Sequence, residues 1–187
     1  MGEAKDHPDL TSSEGIAPLL APLAAVQRLL ARFEDRGIVI GGVAASLLGK
    51  PRLTADVDVV IDLSTDASRD AVRALTQGGY RPLAPVDPLD LADPQQRKAW
   101  QTTRAMQLFS FWDTTNTRPT VDVMLAPVVS FDELWTDASI FTIGGNDVRV
   151  ASIAHLIRMK EAAGRAQDIA DIERLRAKLP NEGKPGA

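Results

Sequence analysis

Hydrophobic and polar positions follow two different periods along the chain, and the pattern predicts strands and helices in mixed order. Apolar residues recur at the spacing of one helical face over residues 16–36, and Gly37 is a natural helix stop. The apolar run 38–40 predicts a strand, and small residues over 43–48 predict a helix after it. Polar and apolar residues then alternate over 56–61, which predicts a second strand.

The rest of the chain predicts further elements of both types. Residues 64–66 supply cap chemistry for a helix that continues to about Gln77. Residues 85–103 are rich in proline and aspartate, and we predict that they form a connection or an insertion rather than part of the core. The other predicted elements are a short strand over 80–84, an antiparallel pair of strands over 104–112 and 120–125, a helical turn over 131–136, a hairpin of 140–143 with 148–150, and a helical end over 152–179 that Gly164 divides in two.

Two carboxylates on the second predicted strand are the first sign of chemistry. Because successive side chains of a strand point to opposite faces, Asp56 and Asp58 share one face. Neighbouring like charges repel each other, so this pair is favourable when a divalent cation lies between them. Gly41 and Gly42 stand where the first strand passes into a helix, and backbone N–H groups at such a turn can approach a phosphate.

Two further polar residues precede these carboxylates, and a third lies on a later predicted strand. Alternation places Arg52 and Thr54 on the same face as Asp56. Arg52 can pair with a phosphate or with Asp56 itself, and Thr54 can orient that carboxylate through a hydrogen bond. Asp122 lies between two valines on a later strand, which fits either a solvent-facing residue or a third carboxylate at the same place.

Composition and charge exclude several classes of protein. The 187 residues suit one domain, and 44% hydrophobic residues are enough for a core. The absence of cysteine excludes disulfides, thiolate metal sites and a cysteine nucleophile. The formal charge of -4 argues against a surface coated for non-specific nucleic-acid binding, although 21 Lys and Arg residues allow a local basic groove. No apolar run reaches the roughly 18 residues of a membrane span, and the first residues are too polar for a secretory signal, so we expect a soluble cytoplasmic protein without membrane contact.

The ordered glycines and aspartates resemble the signature of a known superfamily. The matching residues are Gly41-Gly42-x-Ala44 followed by Arg52-x-Thr54-x-Asp56-x-Asp58. This set is similar to the signature of the polymerase-beta-like nucleotidyltransferase superfamily. Near the C-terminus, Lys160, Gly164-Arg165, and then Asp168 and Asp171 three residues apart resemble the small bacterial branch that includes AbiEii-type toxins. Gln167 stands where that branch often has lysine.

The resemblance implies an α/β (α+β) domain of the minimal nucleotidyltransferase type. Such a domain has a mixed, mostly antiparallel sheet, helices on one face and a helical C-terminal segment. We therefore expect a flexible N-terminal arm over 1–15, a nucleotidyltransferase core over 16–151, a C-terminal helical segment of the same domain over 152–180, and a polar tail over 181–187.

The resemblance also implies a Mg²⁺-dependent transferase that moves a nucleoside monophosphate from an NTP to an acceptor hydroxyl. Two Mg²⁺ ions would serve it, and Mn²⁺ could replace them. Asp56 and Asp58 would hold the metal bound to the triphosphate, and Asp122 would complete the second metal site and help to deprotonate the acceptor. Lys160 would contact the triphosphate. The other implied nucleotide-binding residues are Gly41, Gly42, Arg52, Thr54, Arg165, Asp168 and Asp171.

The acceptor and the partners follow from the branch of the superfamily. A toxin of this branch would modify RNA, for example a tRNA 3′ end, and would have a cognate antitoxin protein. A transferase acting on an aminoglycoside or lincosamide antibiotic would use the same catalytic set and would need an acidic pocket, which the acidic residues of 87–93 could supply. A non-catalytic binding module on the same fold is a third hypothesis, and the three aspartates argue against it.

Other residues allow a structural as well as a functional interpretation. Asp168 and Asp171 can be charges near a helix N-terminus, paired with Arg165. The aromatic side chains of 109, 111 and 112 can stack on a base or fill the core. The two histidines, at 7 and 155, lack the spacing of metal ligands or of a hydrolase triad, and no Walker-type phosphate loop is present.

Overall fold

The computed structural model describes residues 37–48, 54–143 and 146–179, and over this part the chain forms seven strands and six α-helices. The strands are β1 (Gly37–Val39), β2 (Asp56–Ile61), β3 (Tyr80–Pro82), β4 (Leu108–Asp113), β5 (Thr120–Met124), β6 (Ser139–Ile143) and β7 (Asn146–Val150). The helices are α1 (Gly41–Leu48), α2 (Thr65–Gln77), α3 (Pro94–Arg104), α4 (Phe131–Thr136), α5 (Ile153–Ala163) and α6 (Ala166–Arg176). The predicted arm, the predicted helix over 16–36, Arg52 and the polar tail lie outside the described residues.

The strands form one sheet in the order β3-β4-β5-β2-β1-β7-β6. Four of the neighbouring pairs are antiparallel, whereas β2 pairs with β5 and β1 pairs with β7 in parallel. The predicted mixed, mostly antiparallel sheet is therefore confirmed. The strand pairs over β4–β5 and β6–β7 are also the two antiparallel pairs that the sequence predicted.

The two faces of the sheet differ in polarity because side chains alternate along each strand. One face is apolar and carries buried Val57, Val59, Phe109, Phe111, Val121 and Val123. Helix α2 packs against β2 and β3, and Trp100 of α3 stacks on Phe109 with ring centroids 5.0 Å apart. The other face carries Asp56, Asp58 and Asp122, and we call it the carboxylate face.

The prediction of a connection over 85–103 was wrong, because this segment contains a 3₁₀ turn (Pro88–Ala92) and the helix α3. Asp87 and Asp93 are helix N-caps, and Pro88 and Pro94 follow them in the first turns. The Asp93 carboxylate accepts a hydrogen bond from the backbone N–H of Gln95 at 2.8 Å, and Pro94 occupies the first turn, where its missing N–H costs nothing. Burial of Trp100 in the core stabilises this helix. Because the helix extends to Arg104, β4 begins only at Leu108.

The C-terminal segment is helical and divided at Gly164, as predicted. Gly164 has a φ of +62°, in the left-handed region, and its N–H donates to the Lys160 carbonyl at 3.0 Å. Helix α1 contacts both α5 and α6, so the C-terminal helices lie next to the turn that follows β1. Over the described ranges, none of the helices combines the length and the hydropathy that a bilayer crossing requires.

An ion pair between a buried aspartate and a partly exposed arginine closes the end of the β4–β5 hairpin. The side chain of Asp113 is completely buried, and its Oδ1 lies 2.6 Å from Nη2 of Arg118. Its Oδ2 accepts hydrogen bonds from the hydroxyl of Thr115 at 2.6 Å and from the N–H of Thr117 at 3.0 Å. The hydrogen bond from Arg118 holds the pKa of the Asp113 carboxyl well below its ordinary value. Arg118 also lies over the ring of Tyr80, at 4.6 Å from its centroid.

Candidate active site

The structure brings together the three aspartates that the sequence singled out. β2 and β5 are parallel neighbours, and their register places Asp58 opposite Asp122. Asp56 lies two positions before Asp58 and therefore shares its face. The parallel pairing of β2 with β5 thus brings Asp58 next to Asp122, although the two residues are 64 positions apart in the sequence.

The electrostatics of this cluster favour a bound cation. Burial, followed by the charges of Asp56 and Asp122, raises the pKa of Asp58 to about 6. The N–H of Gly42 and the charge of Arg165 oppose this shift. Burial and then the charge of Asp56 also raise the pKa of Asp122. A cation between these carboxylates would offset their mutual repulsion, which adds to the effect of burial on both pKa values.

The twin glycines lie directly against Asp58. Gly41 begins α1 with a φ of +64°, and a Cβ at this position would stand 1.9 Å from Oδ2 of Asp58. The N–H of Gly42 donates a hydrogen bond to the Asp58 carboxylate, and the N–H of Ile40 donates to the Asp58 carbonyl at 3.0 Å. The start of α1 therefore adjoins the carboxylate face, where the helix dipole favours negative charge. The predicted contact of Gly41 and Gly42 with a phosphate stays a prediction.

We expect Gly41→Ala to lower turnover by about 100-fold, because displacing a catalytic group by about an ångström has an effect of this size. The new Cβ would push the Asp58 carboxylate out of place, since both its Cβ and Cγ lie within 3 Å of it. The left-handed φ should also lower the free energy of unfolding by about 1–2 kcal/mol. Steady-state kinetics and urea unfolding measure the two effects separately.

Gly164→Ala is the matched control for this substitution. Gly164 has nearly the same φ, +62°, but no described atom lies within 4 Å of an added Cβ. Gly164→Ala should therefore lose only the stability that the left-handed φ costs, without the added overlap at Gly41. Its turnover should be at least ten times that of Gly41→Ala. Equal losses of turnover in the two variants would mean that backbone strain, not the displacement of Asp58, disables the site.

Two observations on these residues fit a divalent cation. Oδ1 of Asp122 is buried and has no hydrogen-bond partner among the described residues, whereas the hydroxyl of Ser110 donates to the carboxylate of Asp122. Thr54 donates to Oδ1 of Asp56 at 2.7 Å and so fixes that carboxylate, as the sequence suggested. Within the described ranges, no group of three His, Cys, Asp or Glu side chains is arranged to hold a metal ion by itself. A cation here would therefore depend on one or two carboxylates and complete its shell with substrate oxygens and water, as Mg²⁺ commonly does.

The C-terminal residues Lys160, Asp168 and Asp171 form a buried cluster. Nζ of Lys160 lies 3.1 Å from Oδ1 of Asp168 and 2.8 Å from Oδ2 of Asp171. The Lys160 side chain is only 6% exposed. Arg165, in contrast, is exposed at the junction of α5 and α6, and its Nε donates to Oδ2 of Asp168 at 2.8 Å. These contacts do not test the predicted contact of Lys160 with the triphosphate, which stays a prediction.

Sequence reasoning missed the role of Ser110 and left Trp112 undecided. Both lie on β4, where the register places Ser110 opposite Asp122, and alternation puts Trp112 on the same face. Trp112 is 39% exposed, whereas Phe109 and Phe111 face the core. Ser110 is the one polar residue in the alternating run 108–112, and this position could have indicated that it faces the carboxylates.

His155 has a structural position rather than one in the candidate site. It packs against α4, with its Nε2 at 3.5 Å from Oε1 of Glu133.

Comparison with solved structures identifies the fold. The antibiotic-resistance factor ANT(2'')-Ia, in its solution structure, superposes with a TM-score of 0.56 at 13% identity, covering 87% of this chain and 86% of that one. The lincomycin-bound lincosamide antibiotic adenylyltransferase LnuA gives 0.54 at 12% identity, covering 83% of this chain and 97% of that one. A nucleotidyltransferase-like protein from Paracoccidioides brasiliensis gives 0.53 at 17% identity, covering 90% and 80%.

These neighbours establish the nucleotidyltransferase fold for this chain, as the sequence predicted. Identities this low show a shared fold and no more, so activity has to be argued from the site. No protein-family model and no curated protein matches the sequence. The narrower resemblance to the AbiEii-type branch stays a prediction.

Proposed function

We propose that the protein is a divalent-cation-dependent nucleotidyltransferase, which moves a nucleoside monophosphate from an NTP to an acceptor hydroxyl. The observation that carries the proposal is the register of Asp58 with Asp122 on parallel neighbouring strands, with Asp56 on the same face. The fold shared with ANT(2'')-Ia and LnuA supports this class of reaction. A non-catalytic module would have no use for three converging carboxylates, whose mutual repulsion is unfavourable without a cation.

Mg²⁺ is the cation that suits this donor set, and Mn²⁺ would suit the same oxygens. Asp56 and Asp58 would hold the ion that accompanies the triphosphate, and Asp122 would supply its buried Oδ1 to a second ion. Bound there, the ions would neutralise phosphate charge and stabilise the attacking and leaving oxygens. Thr54 contributes by keeping Asp56 in one orientation.

The acceptor reacts on the side of Asp122. Its hydroxyl oxygen forms a bond to the α-phosphorus as the bond from that phosphorus to pyrophosphate breaks. The hydroxyl proton passes to the Asp122 carboxylate, for which a raised pKa is an advantage because a base works best near the operating pH. Ser110 donates to the same carboxylate and so holds it in place. The start of α1, at Gly41 and Gly42, is the proposed phosphate position.

The proposed acceptor is an RNA, such as a tRNA 3′ end, and the protein would act as a toxin with a cognate antitoxin. This finer proposal depends on the C-terminal residues that resemble the AbiEii-type branch. A small-molecule acceptor is the second candidate, and two neighbours favour it. The crystal structure of ANT(2'')-Ia in complex with adenylyl-2''-tobramycin superposes with a TM-score of 0.55 at 15% identity, covering 87% of this chain and 91% of that one. The other neighbour, LnuA, is bound to lincomycin.

Separate reactions with each labelled NTP and Mg²⁺ test the proposal, with total tRNA, tobramycin and lincomycin as acceptors. Label should move to one class of acceptor with release of pyrophosphate, and EDTA should abolish the transfer. Transfer to tRNA would support the toxin hypothesis, and transfer to an antibiotic would support the second candidate. A folded protein that binds none of the NTPs in the presence of Mg²⁺ or Mn²⁺ would contradict the proposed function.

Trp112 provides a test of the acceptor side. Its exposed indole lies on the carboxylate face and can stack against a ring of the acceptor. Stacking contacts of this kind contribute about 1–3 kcal/mol. We expect Trp112→Ala to raise the KM for the acceptor about tenfold, and Trp112→Phe, the matched control, to raise it much less. The KM for the NTP should not change, and an equal rise in both KM values would argue against a position on the acceptor side.

A further inference from the structure

Lys160 is enclosed by two carboxylates and has little freedom to reach a substrate. Its ammonium bridges Asp168 and Asp171, which are themselves almost completely buried, with side chains 1% and 5% exposed. A lysine at this depth is stable only while its partners remain, because an unpaired buried charge is strongly unfavourable. Moving the ammonium to a phosphate would leave both carboxylates without that partner in the interior.

Arg165 has the opposite character. Its side chain is 62% exposed, and it uses Nε, with a longer contact from Nη2 at 3.5 Å, on the Asp168 carboxylate. A guanidinium has five N–H donors, so this arrangement leaves donors for a phosphate. The hydrogen bond with Asp168 is the main cause that raises the pKa of Arg165, and the charges of Asp58 and Asp56 add to it. The charge of Arg165 in turn opposes part of the rise in the pKa of Asp58.

Asp168 connects these two cations through its two oxygens. Oδ1 faces Lys160 and Oδ2 faces Arg165. Lys160 therefore holds one edge of the Asp168 carboxylate, and the other edge is presented to the guanidinium. Arg165 stands at the junction of α5 and α6, and α1 packs against both helices. The charge of Arg165 acts on Asp58, which lies against Gly41 at the start of α1.

We propose that Arg165, rather than Lys160, makes the contact of the C-terminal segment with the triphosphate, and that Lys160 is a positioning residue that acts through Asp168. The inference rests on the proposed function, since it concerns the NTP of that site. It replaces the role that the resemblance implies for Lys160. Lys160 then affects the NTP only while Arg165 is present to be positioned.

A double-mutant cycle on NTP affinity separates positioning from direct contact. The variants are Lys160→Met, Arg165→Ala and the two combined, with Kd for NTP and Mg²⁺ measured by titration calorimetry rather than by turnover. We expect Arg165→Ala to weaken binding about tenfold or more, and the double variant to bind within about twofold of Arg165→Ala alone, because coupled residues are not additive. Losses that multiply would overturn the inference, since they would show two independent contacts.

Arg174→Ala is the matched control. Nη1 of Arg174 lies 3.4 Å from Oδ1 of Asp171, so this arginine belongs to the same cluster through the other carboxylate. Its side chain is also partly exposed and lies on α6. We expect the NTP affinity of Arg174→Ala to stay within about twofold of that of the wild type. A loss as large as that of Arg165→Ala would show that general disruption of the cluster, and not the contact of Arg165, weakens binding.

A second variant covers the case in which Lys160→Met does not fold. Lys160→Met combined with Asp171→Asn removes one charge of each sign and leaves Asp168 paired with Arg165. This variant should keep most of the NTP affinity if Lys160 only positions, and should lose it if the ammonium contacts phosphate. A wild-type protein that binds no NTP would overturn the proposed function itself, whereas multiplicative losses in a wild type that binds NTP would overturn only this inference.

Discussion

Replacing Asp58 with asparagine should lower the rate of nucleotidyl transfer on the order of 1,000-fold, since the variant loses a charged ligand at the centre of the proposed metal site. The carboxylate of Asp58 lies against Gly41, and Asp58 is the register partner of Asp122 on the neighbouring strand. The asparagine amide keeps the size of the side chain, and its oxygen can still accept the hydrogen bond from the N–H of Gly42. The measurement is kcat/KM with Mg²⁺ and the acceptor found in the transfer assay.

The same substitution should not destabilise the fold at neutral pH. The folded-state pKa of Asp58, about 6, lies above the ordinary value of 3.8, so the folded protein holds a proton that the unfolded chain has lost between these pH values. Stability therefore falls as pH rises through about 4 to 6, and the asparagine variant should lack this decrease. Urea unfolding at pH 4 to 8 measures it. A variant that is less stable than the wild type at pH 8 would show that Asp58 has a structural role, and its loss of activity could not then be assigned to chemistry.

Replacing Asp113 with alanine should lower the free energy of unfolding by about 1.5–3 kcal/mol, the usual contribution of hydrogen bonds to a charged group. The partly exposed guanidinium of Arg118 would keep the Gly78 carbonyl but lose its carboxylate partner, and the N–H groups of Thr115 and Thr117 in the exposed turn would lose their acceptor. Thermal and urea unfolding measure the loss. Asp70→Ala is the matched control, because Asp70 pairs with Arg73 at the surface, and such pairs contribute less than about 1 kcal/mol.

The pH dependence of Asp113 has the opposite sign to that of Asp58. Its pKa is lowered on folding, so its contribution to stability is present above the unfolded-state value near 4 and is lost as the pH falls below it. The wild type should therefore lose its advantage over Asp113→Ala in acid. A difference between the two proteins that stays constant from pH 7 to pH 2 would contradict the assignment of this stability to the ion pair.

The elements with clear periodicity were predictable, and the errors have a physical cause. The second strand, the helix that ends near Gln77 and the division at Gly164 follow from alternation, capping and the conformational freedom of glycine, all of which are local. The helix over Pro94–Arg104 was missed because its aspartate and proline caps are also typical of loops. Burial of Trp100 against Phe109, a contact between distant residues, decides between the two.

The sequence by itself determined that Asp56 and Asp58 share a face beside a glycine turn, because strand alternation and glycine conformation need no long-range information. Only the tertiary structure decided that Asp122 joins them, since the pairing of β2 with β5 is a contact across the sheet. The division of roles between Lys160 and Arg165 is likewise tertiary. Burial between α5 and α6 commits the lysine to two carboxylates, whereas the arginine, three residues before Asp168, remains exposed near the carboxylate face.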